Sequence, residues 1–248
     1  PRPDLTLDPG FEYVPTKGPT DDYHCFPIGD PFAADTYITA GDIIPGNKAI
    51  VHHVIVYEVM AKDVAAMRQK DNAEAGPGYT CYGGPGVGSP QTLLVWAPGS
   101  VPMRAPEGTT MRVSKGSVLV SQVHYNLAQF DGKGDRSVAH MELTPTAPQQ
   151  VVTLLPIADP GKLKIPAGAK AAQQTIVIPV GAVLNYTKLP NLTLYGNVPH
   201  MHTRGVSMST HRMAGGNGTE EFAARLPNLY TASIFGTRFG CYGGVRSW

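Results

Sequence analysis

The 248-residue chain is poor in cysteine, charge and tryptophan, with three Cys, two Trp and 16% Asp, Glu, Lys and Arg. Three cysteines cannot build a disulfide framework, although one bridge with one left over is possible, and Cys25, Cys81 and Cys241 lack the C-x-x-C spacing of zinc ribbons or thioredoxin-like sites. Charge is also balanced, 20 Lys+Arg against 19 Asp+Glu, so the clustered basic surface of a nucleic-acid binder is missing. Disorder is excluded from the other direction, because 42% of the residues are hydrophobic and the net charge is only +1. No long apolar run exists to cross a membrane. The longest stretch without a charged residue, 75–103, is interrupted by Pro77, Pro85, Pro90, Pro98 and Pro102 and by many glycines. The chain opens Pro-Arg-Pro with neither an initiator Met nor a signal peptide, which reads as a processed product or a fragment.

Glycine (28) and proline (23) are abundant, about a fifth of the chain together, and they punctuate short apolar runs. One segment, 61–73, has helical spacing, with Val64 and Met67 on one face. Strands are expected at 36–39, 49–59, 117–125, 138–143, 150–155, 173–178 and 191–198, each bounded by Gly, Pro, Asn or Asp. The pattern is that of an all-β protein of two sandwich lobes, divided at Pro145-Thr-Ala-Pro148. The expected organisation is a first lobe at 1–146, a second beginning at 147–213, and an atypical tail at 214–248 without a sustained period of two.

The main chemical signal is histidine. Five of the eight His fall into three compact sets, His52-His53, His124 and His200-x-His202. Leu192, Leu194, Val198, His200 and His202 share one parity, so two imidazoles continue an apolar face and can bind one metal. A pair satisfied by backbone carbonyls at a strand end is the plainer reading. His52 and His53 are adjacent, and in a regular strand they would point to opposite faces, so sharing an ion requires a bulge or a bend. Their flanks are apolar on both faces, which makes two polar rings costly unless both find partners. His124 lies on the face of Val118, Val120 and Gln122 and offers a third nitrogen, or else is a satisfied core histidine.

Imidazole-only ligand sets suit copper or zinc, and no Asp or Glu stands within three residues of His124, His200 or His202 to suggest a two-His, one-carboxylate iron site. Glu58 reads as a strand-end surface charge. No H-E-x-x-H, G-x-S-x-G, phosphate-loop lysine or dinucleotide fingerprint occurs, and the glycines of 81–88 read as a plain loop.

These residues resemble the copper type II, ascorbate-dependent monooxygenases, the family of the peptidylglycine alpha-hydroxylating and dopamine beta-hydroxylating enzymes, and in particular its bacterial members. The resemblance rests on Asp22-Tyr-His-Cys25-Phe, Val51-His-His-Val-Ile-Val-Tyr57, Trp96, Ala105-Pro-Glu-Gly108, Met111-Arg-Val113, Gln122-Val-His-Tyr125, Ile165-Pro-Ala-Gly168 and Pro199-His-Met-His202, in family order. It covers about 22–210. It implies two jelly-roll-like antiparallel β-sandwich lobes facing across a cleft, each with one mononuclear copper. It also implies hydroxylation of an organic C–H bond of a small-molecule substrate, with O2 and an ascorbate-like reductant. His52, His53 and His124 match the copper that relays electrons, and His200 and His202 match ligands of the copper that binds dioxygen. The family's third ligand there is a methionine from a later strand. Only Met208 and Met213 follow His202, both close to it, so an incomplete oxygen site is expected, with a non-catalytic copper-binding β protein as the alternative and a zinc-dependent hydrolase as a third reading. Val198 stands where peptide-hydroxylating members carry a substrate-gripping arginine, so a peptide C-terminus is not implied as substrate. The resemblance further implies a Cys25–Cys81 disulfide, and with it an oxidising compartment, periplasmic or extracellular. Oligomeric state is not legible.

Overall fold

The computed structural model describes residues 4–16, 20–155, 165–169, 172–173, 175–177, 179–187, 193, 195, 207–213 and 220–227. The chain divides into two units, Pro1–Leu154 with Asn197–Phe239, and Leu155–Gly196 with Gly240–Trp248.

Within residues 1–154 the first unit is built on two sheets rich in antiparallel pairs. One has the order β1-β10-β3-β8-β11, where β1 is Leu5–Leu7, β3 Thr36–Ile44, β8 Thr109–Val113, β10 Val138–Thr144 and β11 Gln150–Val151, with the short β7 (Met103–Arg104) also on β3. The other has the order β5-β2-β9-β4-β6, from Tyr79–Thr80, Asp21–Ile28, Val118–Asn126, Val51–Val59 and Gln91–Trp96 respectively. All its pairs are antiparallel. Both sheets contribute to one buried apolar cluster, for instance Ile38, Met111 and Met141 from the first and Val54, Leu119 and Val123 from the second.

The five-stranded sheet has a second apolar face. On β9, Leu119, Val123 and Tyr125 enter the cluster between the sheets, while Val118 and Val120 enter a smaller one with Val59, Met67, Tyr79 and the two cysteines. Alternation therefore explains why β9 reads as nearly continuous apolar sequence, since both of its sides are covered. The outer cover is α1 (Val64–Ala73), entered through a single 3-10 turn at Ala61–Asp63, which places Met67 against the sheet. The loop after it holds Cys81, bonded to Cys25 of β2 with Cα atoms 5.8 Å apart.

The expected segments at 36–39, 49–59, 61–73, 117–125 and 138–143 all fall on elements of the matching kind. At 150–155 the strand stops at Val151, and Leu154 makes one isolated bridge to Thr92. The described residues of 173–178 form no strand, and a helix the sequence reading did not expect, α2, spans Val180–Thr187. Most of the expected strand at 191–198 lies outside the described residues. Within 214–248, where no alternation is legible, Glu220–Pro227 forms a strand, β13, antiparallel to β12 at Ser207–Met213. Glu58 is a further correction. It is fully buried, and its Oε1 accepts the backbone N–H of Ser114 at 2.6 Å, so it ties β4 to the turn after β8 rather than facing water.

Candidate metal centre

The strand geometry resolves the parity problem at His52-His53. Val51 pairs with Tyr125 and His53 with His124, so two residues of β4 are passed for one of β9, and the ladder bulges at His52. The burial pattern shows the same slip. Val51 and Val54 both enter the cluster between the sheets, which a regular strand forbids to residues three apart. With one extra residue between them, His52 and His53 both stay on the outer face.

On that face the three rings converge. His53 and His124 have centroids 4.8 Å apart, His52 and His124 4.7 Å, and His52 and His53 5.5 Å. One ligand nitrogen from each of His52, His53 and His124 lies within 4.8 Å of the others. The Nδ1 atoms of His53 and His124 are 3.4 Å apart. Two nitrogens bound at 2.0–2.1 Å to one tetrahedral ion would lie about 3.4 Å apart, so this pair already stands at metal-bridging separation. His124 is buried, and His52 and His53 are half-buried.

His124 is held from behind by strand β2. Asp21 Oδ1 lies 2.8 Å from its Nε2. A carboxylate only accepts, so Nε2 carries the hydrogen, and in the neutral ring Nδ1 presents its lone pair toward His53. This carboxylate-to-imidazole contact fixes the tautomer a metal requires. The His124 ring beside Asp21 holds its carboxyl below the usual range, with a hydrogen bond to Thr20 acting in the same direction. Tyr23, two residues along on the same face, stacks on His124 with ring centroids 3.9 Å apart and planes 10° from parallel. Tyr23 in turn meets Tyr82 edge-on at 5.0 Å, and Tyr82 is 83% exposed. Burial, then the charge of Asp21, pushes the Tyr23 hydroxyl above its ordinary value.

Of the sequence-derived site residues, His52, His53 and His124 are brought together. His200 and His202 lie outside the described residues, and Met208 and Met213 are placed only as backbone positions of β12. Sequence reasoning missed Asp21 because it looked for carboxylates near His124 in the chain, whereas this one is 103 residues away. Its signal was available in the alternation of Asp21, Tyr23 and Cys25, which share one face of β2.

Fold and site together define a disulfide-bonded, mostly β protein with two large antiparallel-rich sheets and a three-histidine centre able to hold a metal ion. No protein-family model and no curated protein matches the chain.

Proposed function

We propose that the protein is a copper-dependent monooxygenase, hydroxylating an organic C–H bond with O2 and electrons from an ascorbate-like donor. The observation that carries this reading is the bulge that turns two adjacent histidines onto one face opposite His124, since a strand gains nothing in packing by bulging two polar rings outward. An all-imidazole donor set is the second support, because it suits copper and lacks the carboxylate of non-haem iron sites. His52, His53 and His124 would hold the ion, Asp21 would keep the His124 lone pair aimed at it, and Tyr23 would cover one side of that ring. Copper there would supply one-electron redox chemistry. His200 and His202 are proposed to hold a second copper at which O2 is used. A disulfide in the first unit favours an oxidising setting, periplasmic or extracellular. Among the described residues no helix is long and apolar enough to cross a membrane.

The deciding experiment is metal analysis of the whole chain with copper and with zinc, joined to a hydroxylation assay with ascorbate. Two coppers per chain and ascorbate-dependent hydroxylation support the reading. One copper, lost in His124→Ala, with no hydroxylation assigns the protein to the non-catalytic copper binders. Failure to bind copper overturns both.

A further inference from the structure

The opposite face of β2 holds a second polar cluster, which the metal centre does not use. Tyr13, Asp22 and His24 are 9%, 2% and 4% exposed. The Tyr13 hydroxyl lies 2.8 Å from Asp22 Oδ2 and 3.1 Å from His24 Nδ1, and His24 Nε2 lies 3.0 Å from the carbonyl oxygen of Pro77. The second carboxylate oxygen of Asp22, Oδ1, is buried, makes no hydrogen bond among the described residues, and stands 4.0 Å from His24 Nδ1.

Three contacts between electronegative atoms need three hydrogens. The Pro77 oxygen only accepts, so one belongs to Nε2. A second lies between Tyr13 and Asp22, and a third between Tyr13 and His24. A phenol, a carboxylate and a neutral imidazole bring two in all. Ionising Tyr13 only deepens the deficit, and burial together with the Asp22 hydrogen bond pushes its hydroxyl far above the ordinary tyrosine value. With two protons the cluster would also carry a buried negative charge, and a third makes it neutral. Imidazole is more basic than carboxylate by between two and three pKa units, roughly, in model compounds, so the third proton resides on the ring.

We infer that His24 is a buried imidazolium at neutral pH, forming with Asp22 and Tyr13 a proton-binding site beneath the strand that supports the metal centre. Two further carboxylates among the described residues act on the cluster or its neighbour. Glu74, at the end of α1, acts on Tyr13, and Asp135 accepts a hydrogen bond at 3.2 Å from Tyr125, whose ring stacks on Tyr13. These are acidic and favour the proton further. Loss of the proton leaves one of the three contacts without its hydrogen. The bond to Pro77 pins the turn leading into β5 and Cys81, and the bond to Tyr13 pins β2 to the N-terminal segment. The proton thus fastens both sides of β2, whose other face presents Asp21 and Tyr23 to His124. This inference does not depend on which metal, or whether any, occupies the histidine centre.

The sign of the linkage follows. A histidine whose folded pKa is raised above its unfolded value of about 6.5 contributes stability that is complete below that value and is lost as pH rises through the folded pKa. Two measurements on the whole chain test it. Nitrogen NMR of ring-15N-histidine protein is expected to show both His24 nitrogens protonated at pH 7.5, whereas a bare nitrogen on that ring at pH 7.5 overturns the proposal. In denaturant unfolding of metal-free protein, the unfolding constant of the native chain should rise up to tenfold per pH unit, relative to His24→Gln, between about pH 6.5 and the folded pKa. A ratio between the two proteins that stays constant from pH 6 to 9 also overturns it. Should His24→Gln not fold, the NMR measurement decides alone.

Discussion

At the residue scale, the histidine centre depends on a side chain that would not be a ligand. Asp21 fixes which nitrogen of His124 bears the hydrogen, and without it both tautomers of that ring become accessible. Asp21→Asn can still occupy the space, and its amide oxygen can still accept, but with no charge to favour the donor. Metal affinity should fall by about 10–100-fold while thermal stability barely changes, as read by calorimetric titration and melting of the same preparation. The pH dependence has a definite origin. Metal binding should weaken as pH falls below about 6.5, where imidazoles protonate. Asp21, whose carboxyl is held below the ordinary range by His124, stays ionised through that window. The loss therefore tracks the histidines, and the midpoint should not move toward the carboxylate range in the native chain.

At the element scale, the bulge in β4 separates what the fold needs from what the site needs. Removal of His52 leaves Val51, His53 and Val54 in plain alternation, with both valines still inward and His53 still opposite His124. This deletion should preserve the sheet and its melting behaviour yet cost more metal affinity than the loss of Asp21. A collapse in stability instead would show that the bulge is required by the packing. Gly78 is constrained differently. Its φ is +73°, and a Cβ there would lie 2.5 Å from the carbonyl oxygen of Cys25 and 2.7 Å from the ring of Phe26. Gly78→Ala should destabilise by at least ~1–3 kcal/mol in denaturant unfolding, because neither the backbone conformation nor the strand beside it can yield cheaply.

Much of this was legible in the chain. The elements that alternate cleanly or run apolar within glycine and proline boundaries, such as β4, β9 and β10, can be read by eye, as can the need for a bulge at His52-His53. β2 was not proposed as a strand, because Asp21, Tyr23 and His24 interrupt its apolar pattern with polar residues whose partners lie on β9, at Tyr13 and at Pro77. Glu58 was misread for a related reason. A charge two residues before a loop suggests solvent, and only the long-range contact to Ser114 reveals that the strand end is covered. The run at 173–178 reads as strand because Thr175, Ile176, Val177 and Ile178 are β-branched, and the helix at Val180–Thr187 is too short and apolar to show a helical period.

At the scale of the whole molecule, the five-stranded sheet is a partition between two buried clusters, and the bond from Cys25 to Cys81 clamps the outer one. The two cysteines are separated by 56 positions, so the chain-entropy argument gives about 4 kcal/mol of stabilisation. Replacing both with alanine should lower the denaturant midpoint accordingly, and a reducing agent should shift the native chain but not the double variant. The agreement of α1, Met67 and Tyr79 on one side of the sheet with the histidines at its end means that this loss should also loosen the metal centre.

The cover over that outer face is an excursion between β4 and β6, two strands that are themselves hydrogen-bonded neighbours. Topologically it is one long hairpin connection, and on the way it adds β5 to the edge of β2. Within it Met67, Tyr79 and Cys81 are held against the sheet they cover, whereas Tyr82, next to the disulfide, stands out into solvent beside Tyr23. A substitution at Tyr82 would therefore change what approaches the histidines from solvent while the packed side of the cover keeps its contacts.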